Sequence, residues 1–137
     1  DVYREVIDDF YSDVPIFIGG KSMGGRMASL IAEKAEVSGL ICLGFPFHPP
    51  GKPENFKGDH LQSLSIPSLI IQGERDTFGK KAEFEHFDLS KTIQTQFITD
   101  GDHSFKPRKS SGLTEHENLL CAARLVQRFV MEQSCES

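Results

Sequence analysis

Four short apolar segments recur at nearly even spacing, and they restrict the architecture more than any other feature. Ile16-Phe17-Ile18 follows Pro15, and Leu40-Ile41-Cys42-Leu43 lies between Gly39 and Gly44. Leu69-Ile70-Ile71 follows Pro67 and precedes Gly73, and Thr95-Gln96-Phe97-Ile98-Thr99 ends before Asp100-Gly101. The first three are almost wholly apolar, as strands are when a parallel sheet is covered on both faces. The fourth is more mixed, which suits an edge strand. The segments begin at residues 16, 40, 69 and 95, so each gap has room for a crossover helix. This is βαβ periodicity, and it predicts an α/β fold, a parallel sheet with helices on both faces.

Helical spacing supports the reading. Met27, Leu30 and Ile31 stand at i, i+3, i+4 between the first two strands. Ala82, Phe84 and Phe87 predict a helix before the fourth. Leu119, Ala123, Val126 and Val130 predict the buried face of a last helix, opened by a Thr114–Glu117 capping box. Val2, Val6 and Phe10 form a stripe at the front. The run His48-Pro49-Pro50-Gly51-Lys52-Pro53 excludes regular helix and central strand, so it reads as a loop. Neither a repeat nor a linker divides the 137 residues, which suffice for one core.

Charge and cysteine content narrow the function classes. Lys and Arg number 15 against 20 Asp and Glu, a net charge of −5, the opposite of what a general nucleic-acid binder carries. The longest apolar runs fall far short of the about 20 residues of a membrane span, and no signal peptide is visible. Cys42, Cys121 and Cys135 share no metal-binding spacing and read as reduced thiols of a cytoplasmic protein.

The chemistry-bearing signal is Gly20-Lys21-Ser22-Met23-Gly24, a G-x-S-x-G. Chance alone supplies about 0.1 such matches in a chain of this composition, so the letters need their context. They follow a predicted strand and precede a predicted helix, the strand–turn–helix of a nucleophile elbow. Gly20 and Gly24 would remove Cβ atoms where strand and helix converge, and Gly25 adds further small size. Ser22 would project its hydroxyl at the strand's C-terminal end. The Met23 N–H would face a developing oxyanion at the helix N-terminus. A phosphate loop is excluded, because its first glycine would have to stand where Pro15 does.

A serine nucleophile needs a base, and the base needs an orienting acid. Asp76 lies in the loop after the third strand, with Glu74 as a competitor. His103 lies in the loop after the fourth. In a parallel sheet these loops open on one edge, so sequence separation is no obstacle. His48, His60, His86 and His116 read as loop or helix-surface residues.

The stretches Gly19–Arg26, Gly44–Pro53, Pro67–Gly79 and Gly101–Phe105 together resemble the α/β-hydrolase superfamily. More narrowly, they resemble its small dienelactone-hydrolase-related branch, which includes testis-expressed protein 30 and NSL-complex subunit 3. The resemblance implies a triad of Ser22, Asp76 and His103, and a serine hydrolase acting on an ester or similar acyl bond through an acyl-enzyme. It implies no metal and no cofactor, and a small-molecule acyl substrate. Dienelactone hydrolases proper use Cys as nucleophile, so Ser22 points away from that substrate. Phe45, Phe47 and Phe78, with Phe56, are candidates for an apolar acyl pocket, core packing being the plainer alternative. Lys106, Arg108 and Lys109 either attract an anionic substrate or simply face solvent.

Complete members of this superfamily have further strands on the N-terminal side. The resemblance therefore makes residues 1–137 a single partial domain corresponding to the C-terminal half, strands five to eight. It would lack the loop that donates the second oxyanion N–H. The first strand would then expose an unpaired edge, through which the chain would self-associate. A non-catalytic scaffold module is the alternative function. A flavin- or phosphate-binding doubly wound domain lacks its glycine-rich loop after the first strand.

Overall fold

A computed structural model of the chain describes residues 14–135. The four apolar segments are strands β1 (Phe17–Lys21), β2 (Gly39–Leu43), β3 (Ser68–Gly73) and β4 (Ile93–Ile98). They form one sheet in the order β1-β2-β3-β4, each neighbouring pair parallel. Helix α1 (Met23–Ala35) joins β1 to β2, and helix α2 (Glu115–Cys135) follows β4. The predicted stripe Val2, Val6 and Phe10 lies outside the described residues.

Alternation along the strands supplies two cores. Ile18, Leu40, Cys42 and Ile70 pack with Ala28, Ala32 and Ala35 of α1, and with Phe45, Phe47 and Leu61. Leu69, Ile71 and Ile98 pack with Ala122 and Phe129 of α2 on the other side, joined by Phe17, Ile41 and Leu43. Apolar residues at both parities are therefore buried, which explains the unbroken apolar runs of β2 and β3. Strand β4 is an outer strand, as its mixed composition predicts.

Three helical expectations need correction. Only the first gap holds an α-helix. The other two contain 3₁₀ segments, Asp59–Ser63 and Lys81–His86. Pro46, Pro49, Pro50 and Pro53 supply no N–H groups for helical bonds in the second gap. In the third, Phe84 and Phe87 are spent on an aromatic cluster, 5.0 and 4.5 Å from the Phe47 ring.

The buried face of α1 is Gly25, Ala28, Ser29, Ala32 and Ala35. Met27 and Leu30, expected inside, are 56% and 44% exposed. The helix lies so close to the sheet that only small side chains fit beneath it: a Cβ on Gly25 would meet the Gly20 carbonyl oxygen at 2.7 Å. Helix α2 is turned by one residue from the expected register. Asn118, Ala122 and Phe129 are buried, whereas Leu119 and Ala123 are exposed. A polar anchor sets this rotation, because the Asn118 side-chain amide donates to the carbonyls of Thr99 (3.0 Å) and Phe105 (2.9 Å). The capping box is present, with Glu117 N–H donating to Thr114 Oγ1 and Thr114 N–H to Glu117 Oε1.

Cys42 and Cys121 are free thiols. Burial pushes the Cys42 thiol up to about 12, so it is inert at neutral pH. No helix among the described residues is long and apolar enough to cross a membrane.

Candidate active site

The turn between β1 and α1 presents Ser22. Its backbone has a positive φ of 53° with ψ −122°, which a non-glycine residue adopts only under strain. The turn is held because Ser22 N–H donates to the Leu43 carbonyl (2.8 Å) and the Ser22 carbonyl accepts the Arg26 N–H (3.1 Å). Close approach of strand and helix requires Gly20, whose Cβ would lie 2.6 Å from the Gly24 carbonyl carbon. The second glycine that contact requires is Gly25 rather than Gly24, which has open space around it. Met23 is the first helical residue, and N–H groups of a first turn have no intrahelical partner.

His103 reaches this turn from the loop after β4. Its Nε2 lies 2.8 Å from Ser22 Oγ, and its Nδ1 donates to Asp76 Oδ2 at 2.8 Å. Asp76 is wholly buried, and its other carboxylate oxygen accepts the Phe78 N–H (2.8 Å). The competing acid, Glu74, is turned elsewhere. It accepts the Asp100 N–H (2.8 Å) and pairs with Lys81 (3.4 Å). The structure thus joins Ser22, His103 and Asp76 in one hydrogen-bonded line. Such a line can draw a proton from a hydroxyl and steady the resulting imidazolium.

The surroundings fix the His103 ring. Gly44, at φ 69°, lies on one side, where a Cβ would come within 3.3 Å of ring atoms. The Phe78 ring lies against the imidazole, centroid to centroid 4.3 Å. Beneath, Asp102 Oδ1 accepts the N–H groups of Ser104 and Lys106, closing the loop that carries His103. Asp100 binds Arg108 through a 2.6 Å bond from Nη2, and these bonds hold its carboxyl below the usual carboxylate range. Arg108 is thus engaged within its own loop rather than turned to a substrate.

Of the aromatic candidates, Phe45 and Phe47 are fully buried in the core. A cavity of about 810 Å³ opens between the proline-rich loop and the Lys81–His86 segment, and Phe56 and Phe87 line it. Its walls include Thr77, next to Asp76, but neither Ser22 nor His103.

His48, expected to be a loop or helix-surface residue, lies in the loop after β2 but is buried there, 4% exposed. Its ring bonds to Glu83 (2.6 Å) and the Pro49 carbonyl (2.8 Å). Nothing in the spacing of the sequence marks that pairing. His60 is half-buried against Ser29 (2.7 Å), and burial pushes its pKa down. His86 and His116 are exposed. Among the described residues no cluster of three or more His, Cys, Asp or Glu could hold a metal ion.

A sequence model described as an alpha/beta hydrolase domain matches residues 1–131, and the chain belongs to that family. Among solved structures it is similar to an alpha-beta serine hydrolase homologue from Coxiella burnetii, with a TM-score of 0.60 and 21% identity over 93% of this chain. A serine hydrolase involved in carbazole degradation gives 0.59 at 15% identity, again over 93% of the chain, and 68% of its own length is covered. The esterase domain of a Rhodothermus marinus protein gives 0.53 at 13% identity over 72% of this chain and 56% of its own. At these identities the likeness is one of fold. The chain spans 53% of the Coxiella structure's length.

Proposed function

We propose that this chain carries the nucleophile, base and acid of a serine hydrolase acting on an ester or similar acyl bond. The observation that carries the reading is the unbroken line Asp76–His103–Ser22, with both links at 2.8 Å and Ser22 held at a strained elbow. Ser22 Oγ attacks the acyl carbon while His103 Nε2 accepts its proton. The Met23 N–H stabilises the oxyanion, His103 returns the proton to the leaving group, and water then releases the acyl group with His103 again as base. Asp76 holds Nδ1 protonated, so that Nε2 faces the hydroxyl.

Residues 1–137 are in this reading part of a larger hydrolase domain, and the second oxyanion donor comes from outside them. Loss of one such donor typically costs about 10²–10³ in rate, so the full-length protein is the sample to assay. The dienelactone-hydrolase-related branch is the finer placement, with serine in place of cysteine. A fluorophosphonate probe should label the full-length protein at Ser22, and Ser22→Ala should abolish labelling. Labelling that survives the substitution would sink the proposal. Turnover of short p-nitrophenyl esters separates an enzyme from a scaffold of the same fold.

A further inference from the structure

The proline-rich loop takes no part in the triad, yet it carries a buried histidine. Both ring nitrogens of His48 face acceptors: Nδ1 the Pro49 carbonyl at 2.8 Å, and Nε2 the Glu83 carboxylate at 2.6 Å. A neutral imidazole has one N–H to give, and two acceptors require two. Only an imidazolium can donate to both at once, so this pair of acceptors favours the charged ring. The same residue's backbone N–H donates to the Phe78 carbonyl (3.2 Å). Phe78 in turn donates its N–H to Asp76 and rests its ring on His103. The far side of the pair is equally tied, since Glu83 Oε2 accepts the Lys80 N–H (2.6 Å). A second staple lies alongside: the buried Gln72 side chain bonds Phe45 N–H and the carbonyls of Phe45 and Gly79.

We propose that the His48–Glu83 ion pair is a latch that positions the triad. It clamps the loop after β2 to the loop after β3, and so presses Phe78 against the imidazole of His103. His48 touches neither the reacting atoms nor Ser22, and acts through Phe78 as a positioning residue. The inference rests on the serine-hydrolase reading for its catalytic consequence, but the latch itself is a matter of protonation and packing.

The latch depends on pH. Burial disfavours the charged ring, but the Pro49 carbonyl and the Glu83 carboxylate outweigh it, with help from Asp76, and hold the His48 pKa above its ordinary value. Lys80, Asp59, His86 and Asp88 line the same cavity as His48 and complete its charged surroundings. The His48 contribution is fully present below the ordinary histidine pKa and is lost as pH rises through the raised value.

The test uses the full-length protein with ¹⁵N-labelled histidine. The His48 ring should keep both protons to a higher pH than a free histidine does, and a ring that gives one up at the ordinary pH or below would overturn the latch. In Glu83→Gln, the His103 ring resonances should move, and fluorophosphonate labelling of Ser22 should slow by about 10- to 100-fold, the scale of a small misplacement. Glu83→Asp should restore much of the rate. A folded Glu83→Gln protein with unaltered resonances and labelling overturns the proposal. Should that variant not fold, the wild type answers by titration. The labelling rate and the His103 resonances must change at the pH where His48 loses its proton, and independence of the two overturns the latch. If Ser22 is unlabelled in the wild type, the hydrolase reading fails, and the resonances alone still decide the latch.

Discussion

Asp76 accepts at both oxygens, from His103 and from the Phe78 amide. Asp76→Asn places a donor where one of these bonds needs an acceptor. A His103 held in the wrong tautomer cannot receive the Ser22 proton. We expect kcat for an activated ester to fall by about 10⁴ with little change in fold, measured by steady-state kinetics and circular dichroism. Gly44→Ala should be nearly as damaging for a different reason. It combines a left-handed φ of 69° with a Cβ 3.0 Å from the His103 carbonyl oxygen, so His103 itself must shift. Thermal melting across pH separates the buried His48 from the half-buried His60. The His48 contribution is full below the ordinary histidine pKa and lost as pH rises through its raised value. The His60 contribution has the opposite sign: it is full above the ordinary value and lost as pH falls through the lowered one. His48→Gln should therefore lose more stability at pH 5 than at pH 9, and His60→Gln the reverse; equal losses at both would contradict the assignments. At this scale the meeting of Ser22, Asp76 and His103 was legible, since each lies just past the end of a parallel strand, on one edge of the sheet. His48 was not, because its partner lies 35 residues away and no local pattern joins them.

The elements tell a similar story of local signals and tertiary overrides. Strands were readable because burial on both faces demands continuous apolar residues, and only a short apolar run meets that demand. Helix faces were misread where contact is made by small side chains. Hydropathy marks Met27 and Leu30 for the core of α1, but the closeness of strand and helix admits only Gly25, Ala28, Ala32 and Ala35 there. Two substitutions distinguish the registers. Ala32→Leu, at a site with no exposed surface, should overpack the interface and cost about 1–3 kcal/mol in urea unfolding. Met27→Gln should stay within about 0.5 kcal/mol of wild type. On α2 the decisive residue is polar. Asn118→Leu would strip the Thr99 and Phe105 carbonyls of their donor and should cost about 1–3 kcal/mol, an outcome that the Leu119 register would not produce.

In the molecule as a whole, four parallel strands deliver their C-terminal ends to one edge, so residues 22, 76 and 103 meet although they come from separate loops. Among the described residues β1 pairs with β2 alone. No described strand pairs with its other side, and we propose that the 137-residue chain by itself associates through it as its concentration rises. Sedimentation that remains monomeric throughout would contradict this.

The loop after β2 has one more property. The Lys57 N–H donates to the Phe47 carbonyl (2.6 Å), so the chain leaves and returns at nearly the same point, while residues 51–55 between are exposed. Entropy charges an added length of such a closed arc only logarithmically, about 0.6 kcal/mol per doubling. Residues inserted among the exposed positions 51–55 should therefore lengthen the arc at little cost to the fold, while the Phe47–Lys57 closure at its foot is kept.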